Sequence, residues 1–411
     1  MNTSTERLNE QAIQTVVYRT IDLMNAQSVK QFSLPPNTHI GAGAIACIGS
    51  LLQDWQAHHA FIVIDEVVER LGLAAPMFRS LDQAQLRYTV FRQPVGEPES
   101  DVVERGALEC AQSQCDTLIA IGGGSAIDSA KAIAVLAANP NVCVQDLLNP
   151  SNIRHKRVPM VAIPTTAGTG SEATNVTVIT DSRSQHKQVI AHPDMIPDIA
   201  LIDACLMIQL PPSFTAATGV DALTHAVEAY VAKNATPLTR ALAYQALRMI
   251  GQSLSLATGC GDNISAREDM ALASYMAGVA FSNAGLGLTH AMSHQIGAQY
   301  HIPHGVANAI MLPSVMSFNE LVCKRDFSDI GLALSGEIMP SADVIRWIQN
   351  WIVELGLPAN LAQAGAREAD FEAMAEEAMK DYCLATNPRL VSQAQIVQVY
   401  QHAMTRNGTI D

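Results

Sequence analysis

An apolar segment, a glycine-rich turn and an apolar helix follow one another between Asp116 and Ala138. The run Asp116-Thr117-Leu118-Ile119-Ala120-Ile121 has the composition of a buried strand, and residues 126–138 favour a helix. Between them stand Gly122, Gly123, Gly124 and Ser125. Such a turn presents backbone N–H groups at a helix N-terminus, where the helix dipole favours a phosphate. Glycines also serve tight turns that need a positive φ, but the position between strand and helix favours a phosphate site.

Strands and helices alternate on both sides of this turn. Residues 60–64 form a β-rich apolar run that ends at Asp65, and residues 87–91 are a second candidate strand. A helix is predicted over 102–115, and further strands over 159–164, 176–180 and 199–202. This alternation predicts an α/β fold with a mainly parallel sheet.

A hydroxyl-rich loop follows the predicted strand that ends at Pro164. Its side chains include Thr165, Thr166, Thr169, Ser171 and Glu172. The hydroxyl groups could bond a ribose or a phosphate, or Ser171 and Glu172 could begin and cap a helix. Lys187 is a lone cation further along, which either faces a bound cofactor or is simply solvated.

The β/α alternation stops at Pro211-Pro212. The remaining sequence is nearly all helical, with helices predicted over 215–232, 237–256, 264–281, 286–298, 310–322, 342–355, 368–382 and 392–405. We therefore predict an α/β nucleotide-binding domain over 31–210 and an all-α domain over 211–411. A cleft between two such domains is a common place for ligands.

Acidic and imidazole side chains recur at helical spacing in the second domain. Asp221 and His225 are four residues apart, as are His290 and His294, so each pair would share a helix face. His304 follows a proline, which predicts a loop position. One carboxylate with several imidazoles suits a divalent transition metal better than calcium or magnesium. Such spacing also occurs in ordinary hydrogen-bonded pairs, but the clustering of histidines favours a metal site of Asp221, His225, His290 and His304.

The composition narrows the class of protein. The 411 residues are 48% hydrophobic and only 16% charged, which describes a compact enzyme-like chain rather than a disordered one. A net charge of −14 argues against nucleic acid or an anionic membrane as partner. The eight cysteines are scattered without a CxxC pair, which indicates a reducing compartment. The N-terminus does not resemble a signal peptide, and no apolar run is long enough to span a bilayer, so we expect a cytoplasmic protein.

Residues 1–30 stand apart from the α/β pattern. Five apolar residues recur there at helical spacing and would give one apolar face: Ile13, Val16, Val17, Ile21 and Met24. Such a helix either packs on its own domain or docks into a groove of a partner.

Five motifs in this order resemble the iron-dependent (group III) alcohol dehydrogenase family. They are Gly122–Ser125 with Asp128 and Lys131, the Pro164–Thr169 loop, Gly219–His225, Gly285–His290 and Pro303–Asn308. The resemblance covers nearly everything from about residue 31 onward. Within the family, residues 210–212, 233–237 and 318–327 and the N-terminal extension are similar to the ethanolamine-utilisation subgroup.

The resemblance implies a dehydroquinate-synthase-like fold, with Fe²⁺ on the Asp/His₃ set and NAD in the cleft. The same ligand set also accepts Zn²⁺. Asp65 would bind ribose hydroxyls and repel the 2′-phosphate of NADP, or it could simply cap a helix. The remaining cofactor contacts implied are the pyrophosphate turn Gly122, Gly123, Gly124 and Ser125, the neighbouring Asp128, the nicotinamide-side threonines Thr165, Thr166 and Thr169, and Lys187.

The implied activity is the NAD(H)-linked interconversion of a small primary alcohol and its aldehyde. Acetaldehyde reduction to ethanol is the expectation for the ethanolamine-utilisation subgroup. His294 would relay a proton or orient the substrate, or it would only support a metal ligand. Phe281 and Cys383 match positions near the substrate pocket.

Other functions stay open at this point. The same fold serves 1,3-propanediol, butanol and glycerol dehydrogenases, and a carbon–oxygen lyase would need Lys and Arg that residues 290–304 lack. A scaffold role through residues 1–30 is a non-catalytic alternative. The resemblance also implies a homodimer or larger homo-oligomer, with a bacterial microcompartment shell or enzyme as a further partner of the N-terminal helix.

Overall fold

The computed structural model describes residues 30–184 and 186–405. The described residues from Leu34 onward cluster into one compact unit. The apolar helix predicted near the N-terminus lies outside the described residues. The structure therefore describes the α/β part and the helical part of the chain. The domain boundary proposed between residues 210 and 211 remains a prediction.

The strands are short. They are β1 (Asn37–Ile40), β2 (His59–Asp65), β3 (Arg87–Gln93), β4 (Thr117–Gly122), β5 (Met160–Pro164), β6 (Val176–Thr180), β7 (Lys187–Ala191) and β8 (Ile199–Ile202). Strands β2, β4, β5 and β8 are almost entirely buried, whereas β1, β3 and β7 are largely exposed or half-buried. The helices are α1 (Ile48–Asp54), α2 (Glu66–Arg70), α3 (Ala75–Gln83), α4 (Ser100–Gln112), α5 (Gly124–Ala138), α6 (Pro212–Val231), α7 (Pro237–Gly259), α8 (Ile264–Ala284), α9 (Leu288–Tyr300), α10 (His304–Ser335), α11 (Ser341–Glu354), α12 (Phe371–Ala378) and α13 (Gln393–Thr405).

Six strands form a parallel sheet in the order β1-β8-β5-β4-β2-β3. Alternate side chains enter two different cores, so that Phe61 and Val63 pack on one face while Ile62 and Ile64 pack on the other. A parallel sheet covered on both faces explains why its strands read as continuous apolar runs. β6 and β7 form a separate antiparallel hairpin.

Three strand ends define one edge of the sheet. β5, β4 and β2 are neighbours, with Gly122 paired in register with Pro164 and Ile64 with Ile121. Parallel strands end at the same edge, so the glycine turn, the threonine loop and Asp65 lie side by side. This edge is where α/β sheets bind nucleotides.

The part after β8 is helical. One core there combines Leu288, Met292 and Ile296 of α9 with Ile310 and Met311 of α10. The i, i+4, i+8 spacing on α9 puts its three residues on one buried stripe. The architecture confirms the predicted fold class, an α/β part followed by an all-α part.

Some local predictions were wrong. His304 is the first residue of α10 and not a loop residue, because a proline directly before a helix removes no intrahelical hydrogen bond. The helix predicted over 310–322 runs from His304 to Ser335, with a break in helical geometry at Cys323. The one predicted over 368–382 shortens to Phe371–Ala378, and strands β1 and β7 had not been predicted.

The prediction that no apolar run is long enough to span a bilayer was wrong for α10. α10 is long and apolar enough by length and composition, with 67% of its apolar window buried inside the protein. Such burial is typical of the core helix of a soluble protein. Its apolar composition is therefore explained by packing.

Candidate metal and nucleotide site

The predicted metal ligands meet in one cluster. Asp221 and His225 lie one turn apart on α6, His290 lies on α9, and His304 begins α10. One ligand atom from each of the four residues lies within 4.8 Å of the others. Asp221 Oδ1 is 3.9 Å from His225 Nε2, 4.0 Å from His290 Nε2 and 3.6 Å from His304 Nε2. Three helices thus bring four potential metal-ligand atoms to one point.

Each of two histidines is held by a hydrogen bond at its other ring nitrogen. Nδ1 of His225 lies 3.1 Å from the carbonyl oxygen of Gly168, and Nδ1 of His290 lies 2.6 Å from Oε2 of Glu228. A carbonyl can only accept, so the proton of His225 sits on Nδ1. Its Nε2 lone pair is then directed into the cluster.

Glu228 receives three hydrogen bonds at the start of α9. Besides the His290 ring, it accepts the backbone N–H of Gly287 at 2.9 Å on Oε2 and that of Thr289 at 2.6 Å on Oε1. Burial raises the pKa of this carboxyl to about 7, although the Thr289 and Gly287 contacts favour the charged form. These donors favour the arrangement with the shared proton on His290 Nδ1.

The electrostatics prepare the cluster for a cation. Burial alone raises the pKa of Asp221, but the three histidines and Asn308 outweigh it, and the net pKa lies below its ordinary value. Burial lowers the pKa of His290 well below its usual range and that of His304 to about 4. A carboxylate beside neutral imidazoles is the protonation state that metal ligation requires.

Asn308 lies one turn after His304 and faces the same cluster. Its Nδ2 atom donates to Asp221 Oδ1 at 2.7 Å and lies 3.2 Å from His290 Nε2 and 3.1 Å from His304 Nε2. An amide NH₂ group can only donate and has two hydrogens, so one bonds Asp221 Oδ1 and the other can bond only one of the two imidazole nitrogens at a time.

His294 lies beside the cluster without joining it. Its Nδ1 is 2.8 Å from Asp381 Oδ2, and its ring stacks on His304 with centroids 5.3 Å apart. Burial alone raises the pKa of Asp381, but the contact with His294 outweighs it and the net pKa is lowered. An ionised Asp381 can only accept, so it keeps the His294 proton on Nδ1 and leaves Nε2 to exchange protons.

The two predicted pocket residues border these histidines. Phe281 stacks on His225 with ring centroids 4.5 Å apart. Cys383 is buried, its backbone N–H donates to Asp381, and burial raises its thiol pKa well above the ordinary value. Both therefore give apolar, uncharged surface close to the metal cluster.

The glycine turn begins α5 without any side-chain cap. Gly123 is the N-cap residue and, because it has no side chain, it makes no capping hydrogen bond. A Cβ on Gly122, whose φ is +158°, would stand 2.8 Å from the Cβ of Asp65 and 2.6 Å from that of Ala126. This close approach requires glycine, and it brings Asp65 against the turn.

Asp65, Asp128 and Ser171 all make hydrogen bonds within the protein. Asp65 caps α2, and both bonds, from the N–H groups of Val67 and Val68, use Oδ1. Asp128 is engaged inside the protein, because it accepts from the Ser171 hydroxyl and from Val178 N. It thereby supports the threonine loop, while Ser171 starts only a short 3₁₀ turn and caps no α-helix.

The threonine loop is tied to the glycine turn. The N–H of Thr165 donates to the carbonyl of Gly122 at 2.9 Å, and Thr166 and Thr169 lie next to Gly123 and Gly124. Lys187 is not a lone cation, since its Nζ pairs with Glu97 Oε1 at 2.9 Å. Burial is the main cause of the lowered pKa of His304, and the charge of Lys187 makes a smaller contribution in the same direction.

Four contacts of the site were missed from the sequence. Glu228 could have been found, because it shares a face of α6 with Asp221 and His225, and Asn308 could have been found one turn after His304. Asp381 and the Gly168 carbonyl carry no local signal, because only the tertiary fold brings them to the histidines.

Comparisons with known proteins identify the family of this chain. The model of "iron-containing alcohol dehydrogenase" matches residues 35–204, and that of the C-terminal part of the Fe-containing alcohol dehydrogenase family matches residues 215–404. The chain belongs to the iron-containing alcohol dehydrogenase family. It is thus an enzyme of the alcohol dehydrogenase class, as the motifs predicted.

Similar proteins match along nearly the whole length. The chain is 47% identical to the probable alcohol dehydrogenase EutG of Salmonella typhimurium, over 95% of this chain and 99% of that protein. It is 40% identical to the NAD-dependent methanol dehydrogenase of Bacillus methanolicus, over 91% and 99%. The crystal structure of a 1,3-propanediol oxidoreductase superposes with a TM-score of 0.88 at 35% identity, covering 92% of this chain and 100% of that one.

Proposed function

We propose that this alcohol dehydrogenase uses Fe²⁺ and NAD(H) to interconvert a small primary alcohol and its aldehyde, with acetaldehyde reduction to ethanol in ethanolamine utilisation as its reaction. The observation that carries the proposal is the 3.1 Å contact between the Gly168 carbonyl and His225 Nδ1. It joins the threonine loop of the nucleotide side directly to a metal cluster. Cofactor and substrate oxygen would therefore be held by adjoining groups, which favours direct hydride transfer.

The residues present fit a divalent iron. Asp221, His225, His290 and His304 would hold it, and the donor hydrogens of Asn308 face three of the same atoms, as a positive charge would. One carboxylate and three imidazoles suit iron among the transition metals. The chemistry it supplies when bound is Lewis-acid polarisation of the substrate oxygen.

The sheet edge fits NAD. The uncapped N-terminus of α5 offers backbone N–H groups to the pyrophosphate, with Thr166 and Thr169 beside them. Asp65 caps α2 through one oxygen, and its negative charge next to Gly122 disfavours the 2′-phosphate of NADP. The printed name of the Bacillus methanolicus relative, an NAD-dependent enzyme, supports the same cofactor.

Proton handling falls to the pair of His294 and Asp381. Asp381 keeps a proton on Nδ1 of His294, so Nε2 is the atom that takes a proton from the alcohol or returns it to the reduced aldehyde. Phe281 and the neutral thiol of Cys383 provide apolar surface beside these histidines. Excluding water there strengthens the electrostatic contacts of the reacting groups.

The test is NADH oxidation with metal-stripped protein that is reloaded anaerobically with Fe²⁺. Acetaldehyde, 3-hydroxypropionaldehyde and butyraldehyde would be compared at equal concentration, with His290→Ala as the control without a complete ligand set. Turnover that depends on Fe²⁺, vanishes in the control and is fastest with acetaldehyde supports the proposal. Fe²⁺-dependent turnover with a clear preference for another aldehyde would replace the substrate, and no turnover with any of them would reject the reaction.

The cellular setting is a further part of the proposal. We infer a cytoplasmic homo-oligomer that residues 1–30 deliver to a bacterial microcompartment, on the basis of the apolar pattern in that segment and the similarity to EutG. Co-localisation of a fluorescent fusion with and without residues 1–30 tests the delivery. Light scattering coupled to size exclusion tests the assembly, and a monomer at working concentration would contradict it.

A further inference from the structure

Asn308 is completely buried and its amide is used on one side only. Nδ2 faces Asp221, His290 and His304, whereas Oδ1 is buried without a hydrogen-bond partner among the described residues. Buried polar atoms are normally satisfied, and an orphaned one costs free energy. The side chain therefore holds its position because of what its nitrogen contacts.

The three contacted atoms are predicted metal ligands. A lone pair that accepts an amide hydrogen cannot bind a cation at the same time, and the amide hydrogens carry partial positive charge. With two amide hydrogens, Asn308 occupies a lone pair of Asp221 and that of one imidazole, His290 or His304, at a time, and a metal ion would need the same lone pairs. Turning the amide over would direct its oxygen at the carboxylate of Asp221, which is unfavourable unless a cation lies between them.

We propose that Asn308 competes with the metal ion for the ligand set, so that its amide stabilises the ligands before metal entry and must turn away when the ion binds. This inference rests on the proposed metal site. It assigns Asn308 a positioning role: the residue limits the metal affinity and keeps Asp221, His290 and His304 ordered in the core when no ion joins them.

A matched pair of variants on α10 tests the competition. Asn308→Leu keeps the bulk of the side chain and removes the donor. Asn319→Leu makes the same change eleven residues further along the helix, where the amide is also buried but pairs with Asn387 at 3.0 Å and not with any histidine. Asn308→Ala is the second variant in case leucine does not pack.

The measurements are the Tm of chelator-treated protein, the Tm with excess Co²⁺ and the Co²⁺ Kd, with the visible spectrum of bound Co²⁺ as a reporter of its ligands. In Asn308→Leu we expect a lower Tm without metal, a larger rise in Tm on adding Co²⁺ and a Kd about three- to tenfold tighter, the scale of one net hydrogen bond. The Co²⁺ spectrum should match that of the wild type. Asn319→Leu should lower both Tm values equally and leave the Kd unchanged.

Several results would overturn the inference. An unchanged or weaker Kd in both Asn308 variants would show that the amide does not compete, and a changed Co²⁺ spectrum would make Asn308 a ligand in the loaded site. If the wild type binds no Co²⁺ or Fe²⁺, the proposed metal site falls and this inference with it. If the wild type binds metal normally but the variants do not differ, only the role of Asn308 is wrong.

Discussion

Replacing Glu228 by glutamine should weaken metal binding without removing any of the four predicted ligands. Both carboxylate oxygens act as acceptors, Oε2 for Gly287 N and His290 Nδ1 and Oε1 for Thr289 N. Glutamine offers one acceptor and one donor in the same shape. In one orientation its NH₂ opposes the Thr289 N–H, and in the other it opposes the Gly287 N–H and donates to His290 Nδ1.

The second orientation changes the tautomer of His290. If Nδ1 accepts a hydrogen bond, the ring proton moves to Nε2, the atom that points at Asp221 from 4.0 Å away. The first orientation keeps the tautomer but sets the glutamine NH₂ against the buried N–H of Thr289, which costs about 1–3 kcal/mol. Losing such an outer partner of a metal ligand weakens metal binding about 10- to 100-fold, which corresponds to about 1.4–2.7 kcal/mol.

Competition with a chelator of known affinity measures the Fe²⁺ or Co²⁺ Kd of Glu228→Gln. The matched control is Asp381→Asn, which makes the same change at His294, a histidine of the same helix that is not a predicted ligand. Asp381→Asn should leave the metal Kd unchanged and lower kcat by about 10²-fold or more, the contribution of a general acid–base group. A folded Glu228→Gln protein with a metal Kd within twofold of the wild type would refute the reasoning.

Three further changes test other parts of the site. His304 has a folded pKa of about 4, below its ordinary 6.5, so the unfolded state binds more protons between these values. The free energy of unfolding of chelator-treated protein should therefore fall as the pH drops through that window. In His304→Gln the slope of this free energy against pH should be smaller, by at most the contribution of one proton, and urea titrations at a series of pH values measure that slope. Asp65→Asn keeps a good cap for α2 but removes the charge, so the ratio of kcat/KM for NADPH to that for NADH should rise at least about tenfold; an unchanged ratio would place the ribose elsewhere. Gly168→Ala should weaken both NADH binding, followed by fluorescence, and metal binding, whereas a loss of only one would separate the two sites.

The sequence located the metal cluster because its signals are local. Asp221 with His225 and His290 with His294 sit at helical spacing, and helical geometry alone predicts the shared faces. That α6, α9 and the start of α10 would bring these faces together is a tertiary fact, and the sequence supplied it only through the resemblance to a family. The ligand role of the four residues remains a prediction that metal binding must test.

The nucleotide edge was predictable for a different reason. Buried parallel strands read as apolar runs, and their ends are marked by Asp65, Gly122 and Pro164, so both the strands and their ends could be read. The order of the strands in the sheet could not be predicted, because it depends on which face of the sheet each connecting helix packs against. Lys187 shows the limit: it lies on β7 and pairs with Glu97, ninety residues earlier, and nothing near it in the sequence indicates that partner.

The metal cluster and the nucleotide loop meet where Gly168 packs on α6. A Cβ on Gly168 would stand 2.8 Å from the Cβ of Thr218, so the loop lies directly on α6, one turn before Asp221. Only at that distance does the Gly168 carbonyl reach His225, and the same backbone carries Thr166 and Thr169 beside the glycine turn. A shift of the loop would move the acceptor that fixes the tautomer of His225 together with the hydroxyls at the nucleotide edge. We therefore expect metal and NADH to tighten each other's binding by the same factor, and NADH titrations with and without Co²⁺ measure that factor.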